Sequence, residues 1–235
     1  MRLMRKELRR AMSWTRDEER RQHPPDKPYC ARYPTVSQRL WPRFDNYLRA
    51  RDLDVSLARA NFWFPSRTVD GYDRIVVPAT SDQPGNLYWQ ARLIQAVTLG
   101  NAKPTDPRRW ESPHGIARGN AVCVVWPLAL HRNGKAVVVE GPMDALAAAG
   151  EGYTGVALMG VTPAAEVLDL TSRLLHGIMC VSIMDMGAEA EMADNTQYLA
   201  HRGLPCKLVN PYPHKDLATM AKVQRATFLK EAFGE

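Results

Sequence analysis

From Lys135 onward the sequence alternates between short apolar runs and stretches of helical character. The runs are Ala136 to Val139, Gly155 to Met159, Ile178 to Met184 and Lys207 to Val209. Between them, helices are predicted over Asp144 to Ala149, Pro163 to Leu175 and Ala188 to His201, with a last one from about Asp216 to Phe233. Short Val-rich runs without polar alternation read as strands buried on both faces. Parallel strands need a crossover between them, and a helix is the usual one. The alternation therefore predicts an α/β fold: about four parallel strands flanked by helices. Open sheets of this kind bind ligands beyond the carboxyl ends of their strands. The first run ends in Glu140-Gly141 with Asp144 close behind, and the third ends in Asp185. Two carboxylates at adjacent strand ends suit a hard cation such as Mg²⁺, and so point to phosphoryl-transfer chemistry.

The individual residues divide by how readily local structure explains them. Glu140 has no neighbour in sequence to satisfy it, and Gly141 behind it lets backbone approach a phosphate or metal. Asp144 opens a helix, where an acid serves either the site or the helix terminus. Glu189 and Glu191 fall in the first turn of a helix, where the dipole and solvation alone would explain either one. Asp216 is a further metal ligand or the N-cap of the last helix. His214 and Lys215 beside it touch phosphate or face solvent.

The half before this region is chemically different. Up to Arg118 the chain carries 22 Lys and Arg against 13 Asp and Glu, whereas the remainder carries 9 against 12. A basic half joined to an acidic one suits a protein that grips a polyanion with the first and a cation with the second. Residues 1–22 read as a basic helix or a solvated arm, and Pro24, Pro25, Pro28 and Pro34 mark a linker. A helix is predicted from Val36, with Ser37 as N-cap, and a short helix or turn after Asp54. Arg74 to Pro78 and Leu87 to Ile94 read as antiparallel strands around a Gln83–Asn86 turn. Val122 to Trp126 reads as one more strand. On the second of these strands Tyr88, Gln90 and Arg92 share a face, an aromatic and a cation suited to single-stranded nucleic acid. Arg108, Arg109 and Arg118 flank the loop that follows.

The organisation expected is a basic arm and linker over 1–35, a smaller basic α+β subdomain over 36–134, and the α/β domain over 135–235. The four cysteines form no CxxC pair, so zinc ribbons and redox motifs of that kind are not expected, and a reducing cytoplasm fits best. No apolar run is long enough to span a membrane, and the first residues lack the apolar core of a signal peptide.

Taken together, these segments resemble the RNA-polymerase core of bacterial and phage DNA primases of the DnaG type, which carries a Toprim domain. VVVEGPMDALAAAGEGYTGVALMGVTPA resembles the first Toprim motif. IMDMGAEAEMA resembles the Asp-x-Asp motif, and HKDL the Lys-Asp element after the fourth strand. Upstream, NLYWQARLI resembles the segment that ends in the family's arginine, here Arg92. RRWESPHG resembles its Lys-Tyr-x-x-Ser-Pro element, and FDNYLRARDLD its opening helix. The resemblance spans about residues 36–220 in the family's order. It implies a primase that makes short RNA primers on single-stranded DNA from ribonucleoside triphosphates. The ligands of Mg²⁺ or Mn²⁺, with no zinc, would be Glu140, Asp185, Asp216 and Glu189, and the catalytic set Glu140, Asp185 and Asp144. Template or nucleotide phosphate would fall to Arg92, Arg108, Arg109, Arg118 and Lys215, with Tyr88 alongside. A replicative helicase or another replication protein is the partner it implies, and a phage or plasmid origin with a bacterial cytoplasm the setting. Neither the zinc-binding domain nor the helicase-associated domain of the longer family members is found. One departure bears on activity: Gly187 stands where the second aspartate of Asp-x-Asp belongs, and Glu189 is the carboxylate expected to replace it. A non-catalytic Toprim protein that binds nucleic acid, or a Toprim nuclease, are the alternatives.

Overall fold

Nine strands among the described residues form a single mixed sheet. The computed structural model describes residues 34–67, 71–81, 87–94, 110–113, 121–128 and 134–235. The arm, the linker up to residue 33 and the Gln83–Asn86 turn lie outside them.

The chain enters through a 3-10 turn, Gln38–Leu40, and then α1 (Trp41–Arg49). Ser37 occupies the cap of the 3-10 turn without a side-chain hydrogen bond. The α-helix proper starts where Pro42 falls in its first turn, a position that has no intrahelical N–H bond to lose. Asp54 caps α2 (Val55–Ala60) by accepting from the Leu57 N–H at 2.8 Å. Strands β1 (Phe64–Arg67), β2 (Asp73–Ser81), β3 (Leu87–Leu93) and β4 (Trp110–Glu111) follow. β2 pairs antiparallel with β3, as the turn composition predicted, and also with β1, a strand the pattern did not show; β4 joins the far side of β3.

The second part contains β5 (Ala121–Val125), β6 (Lys135–Val139), α3 (Pro142–Gly150), β7 (Thr154–Ala157) and α4 (Ala165–Leu174). It continues with β8 (Met179–Ile183), α5 (Glu189–His201), β9 (Cys206–Val209) and α6 (Lys222–Phe233). β7, β6, β8 and β9 lie in that order and are parallel, while β5 runs antiparallel between β7 and β2 and makes one sheet of the whole. Helices cover both faces. Val137, Val139, Val181 and Ile183 share a core with Leu146 of α3, Leu229 of α6 and Phe44 and Leu57 of the first two helices. Ala136, Val138, Val156 and Cys180 face Val167 and Leu168 of α4 and Leu199 of α5. Burial on both faces is why these strands read as unbroken apolar runs.

Two details depart from the pattern reading. The last helix does not run unbroken from Asp216. A 3-10 turn, Leu217–Thr219, comes first, and Met220 is extended (φ −74°, ψ 140°) before α6 begins. The cause is local: the Asp216 carboxylate accepts from the Thr219 N–H, and the Thr219 hydroxyl side bonds back to the Asp216 backbone, closing the turn after three residues. In addition, α3 starts two residues before Asp144, at Pro142.

Candidate active site at the strand ends

The strand order creates the crevice. From β6 the chain crosses by α3 to β7 on one side, and from β8 it crosses by α5 to β9 on the other. A doubly wound sheet opens a cleft where its connections diverge, which here is between the carboxyl ends of β6 and β8. Glu140 directly follows β6, and Asp185 lies two residues past the end of β8. Both are partly exposed. The backbone N–H of Met186 donates to the Lys215 carbonyl at 2.9 Å, which holds the loop after β8 against the loop after β9. Lys215 and Asp216 are thereby brought to the same end of the sheet.

The charges sense one another. Burial raises the Glu140 carboxyl above its usual range; Lys215 opposes this, while Asp216 and Glu191 add to it. Asp185 is pushed up to about 7, first by burial and then by Glu140 and Asp216, against Lys215. Asp144 is buried and is also driven well above the carboxylate range, by burial, Asp216 and Asp185. Its Oδ1 accepts from the Ala218 N–H at 2.8 Å, which opposes that rise. Three carboxylates, Glu140, Asp144 and Asp185, held above their usual range by burial and by neighbouring acids beside a single lysine, make a site short of positive charge. Among the described residues, no three Asp, Glu, His or Cys side chains stand close enough together to close around an ion. Asp144 holds the 3-10 turn that carries Asp216's neighbours, and a Cβ at Gly141 would sit 3.2 Å from its Oδ2.

The upstream strand is placed differently from its pattern reading. Tyr88 is fully buried and Arg92 is 5% exposed. Arg92 Nε donates to the Tyr47 hydroxyl of α1 at 3.0 Å, and its guanidinium lies 5.0 Å from the centre of the Trp110 ring. Gln90, on the same face, reaches the Met159 carbonyl at 3.5 Å. This face of β3 is packed against protein, so neither Tyr88 nor Arg92 presents itself to a nucleic acid in solution. Period-two alternation shows that a strand has two faces, not which of them is covered. Arg108, Arg109 and Arg118 lie outside the described residues.

No protein-family model matches the sequence, and no curated protein matches it. Solved structures do match the fold. The Aquifex aeolicus primase, with its zinc-binding and RNA polymerase domains, aligns at a TM-score of 0.57 and 14% identity, over 80% of this chain and 55% of that one. The primase fragment of the bacteriophage T7 primase-helicase aligns at 0.55 and 19% identity, over 88% and 83% of the two chains. The DnaG catalytic core aligns at 0.53 and 15% identity, over 84% and 72%. The fold is that of a DnaG-type primase catalytic core. The chain spans about half the length of the Aquifex protein.

Within this primase fold the departure at Gly187 has a backbone cause. Gly187 adopts φ +94°, in a turn closed by the Ala188 N–H donating to the Asp185 carbonyl at 3.0 Å. An aspartate would be strained there. Glu189 does not fill the gap: its Oε1 accepts from the Gly187 N–H at 2.9 Å, it is exposed, and that bond lowers its pKa. Glu191 is the helix-start acid whose charge acts on Glu140. Residues two apart on a helix are rotated by about 200°, so the two side chains leave α5 on different sides. The sequence shows both acids but not the phase of the helix, so it does not separate Glu191 from Glu189.

Proposed function

We propose that this chain is a primase that joins ribonucleotides on a single-stranded DNA template by metal-dependent nucleotidyl transfer, within a Toprim domain formed by β6–α6. The observation that carries this reading is the meeting of Glu140 and Asp185 at the divergence of a primase-type sheet, with Asp144, Asp216 and Lys215 around them. The donor set is all oxygen and has an excess of negative charge, which fits Mg²⁺ or Mn²⁺ and disfavours zinc. Held by Glu140 and Asp185, with Asp216 nearby, such an ion would neutralise the nucleotide's phosphates and favour attack by a 3′-hydroxyl on the α-phosphorus, with pyrophosphate leaving. Lys215 is placed to bind a phosphate oxygen. Asp144 acts by positioning, since it is buried and bonded to Ala218. The template contact is assigned to the basic first half, including Arg108, Arg109 and Arg118. A replicative helicase or polymerase is the partner this role calls for.

A second reading is favoured by one observation. At φ +94° the Gly187 backbone strains any residue that would supply the second carboxylate, and without that carboxylate the protein would bind nucleic acid without polymerising. Primer synthesis from labelled ribonucleotides on single-stranded DNA, in Mg²⁺ and in Mn²⁺, separates the two. Product lost in Glu140→Ala and Asp185→Ala supports the primase. DNA binding without product in either metal sinks it in favour of the second reading, and cleaved template would indicate a nuclease.

A further inference from the structure

Cys180 and Cys206 face each other on neighbouring strands. They are register partners in the parallel pairing of β8 with β9 and belong to the same core cluster. Parallel neighbours place paired Cα atoms about 4.8 Å apart, inside the roughly 4.4–6.8 Å range that disulfides span. Both are free thiols, and Cys180 Sγ lies within hydrogen-bond reach of Cys206 as well as 3.3 Å from the Ile178 carbonyl. The two differ in access: Cys180 is 3% exposed, whereas Cys206 is partly open. Cys180 beside it lowers the pKa of Cys206, so the sulfur nearer solvent is also the one more readily present as thiolate. β9 is the edge strand among the described residues, so it can adjust to a bridge with β8 without disturbing a further strand.

We propose that Cys180 and Cys206 form a reversible oxidation site that closes to a cross-strand disulfide when a peroxide reacts with Cys206. The Cys206 thiolate would attack the peroxide O–O bond, giving a sulfenic acid and water once a proton is taken up. The Cys180 sulfur would then attack the Cys206 sulfur and expel the hydroxyl as a second water, with the Cys180 thiol supplying the proton. Two thiols lose two electrons and two protons, and the peroxide gains them. A Cα spacing of about 4.8 Å lies towards the short end of the disulfide range, so the bridge is strained and readily reduced. Cys123, by contrast, is buried and its thiol is pushed up to about 12, so it stays unreactive.

The test treats the full chain with hydrogen peroxide, alkylates the remaining thiols and maps the digest by mass spectrometry. The expected result is a loss of mass equal to two hydrogen atoms and a peptide linking Cys180 to Cys206. Dithiothreitol should reverse it, and the variant with Cys30 and Cys123 both changed to Ser should retain it. Cys180→Ser should leave Cys206 as sulfenic acid, trapped by dimedone, which shows the order of attack without requiring the bridge. Over-oxidised Cys206 with Cys180 still alkylated, a bridge to Cys30 or Cys123, or no thiol loss would each overturn the proposal. None of these readouts depends on polymerase activity, so the site stands or falls apart from the primase reading.

Discussion

At the scale of single residues, the two acids at the strand tips carry different expectations from those on the helix that follows. Glu140→Gln and Asp185→Asn are each expected to reduce primer synthesis at least about 100-fold, because each removes a carboxylate that would hold the divalent ion proposed to neutralise the phosphates. Glu189→Gln should leave it within about threefold, since that carboxylate bonds to its own turn at Gly187 and is exposed. Glu191→Gln should fall between the two. The four rates, measured side by side on one template, order the carboxylates, and a Glu189→Gln effect as large as that of Asp185→Asn would overturn the assignment. Asp185 also costs stability. Its folded pKa of about 7 lies above the unfolded value of 3.8, so the folded chain binds that proton more tightly and loses stability as pH rises through this window. Asp185→Asn should therefore raise the unfolding free energy at pH 8 in EDTA by on the order of 1–3 kcal/mol after allowing for the carboxylate's partial exposure, read from chemical denaturation, with the gain gone near pH 4.

At the scale of elements, the packing of α3 on β7 and the anchoring of α6 are the two joints that hold the crevice in place. Gly155 in β7 lies so close to α3 that a Cβ there would sit 2.0 Å from the Ala145 carbonyl oxygen. Gly155→Ala is expected to destabilise the fold by at least about 3 kcal/mol, read from chemical denaturation. Arg225 of α6 is buried. Its Nε pairs with Glu151 at 3.0 Å, and its terminal nitrogens donate to the Met220 and Asp52 carbonyls. It thus ties α6 to the end of α3 and to the turn between α1 and α2. Arg225→Ala should cost about 3–5 kcal/mol, because it leaves the half of the network that remains without partners in a buried place. The rescuing effect of a second change, Glu151→Gln, in a double-mutant cycle would show the coupling. The elements themselves were legible. The strands and helices from Lys135 on sit within a few residues of their apolar runs. The interruption after Asp216 was not legible, because a three-residue turn that closes on its own cap looks in sequence like the start of a longer helix.

At the scale of the whole molecule, the division of charge matches the two tasks proposed for the protein. The excess of Lys and Arg before Arg118 predicts that single-stranded DNA binding weakens steeply with salt, with a slope of about −0.7 per phosphate contact. A titration of binding between low and physiological salt measures it, and a flat response would remove the basic half from the interface. Binding should persist in Asp185→Asn, since the contact is proposed for the basic half and not for the carboxylates. No helix among the described residues is long and apolar enough to cross a membrane. What the sequence by itself determined is the class of fold and the pair at its centre. A rhythm of buried strands and helices admits little but a parallel sheet, and the residues that end its strands must lie at its binding edge. The strand order and the faces were decided only in three dimensions. Which strands neighbour one another sets where the cleft opens. Which way α5 is rotated turns Glu191 rather than Glu189 to Glu140, and α1 lays its Tyr47 on Arg92 and so takes that arginine out of solvent. Local sequence specifies what an element is, but contacts far apart along the chain specify which of its faces is covered, and that second choice assigns the residues to their work.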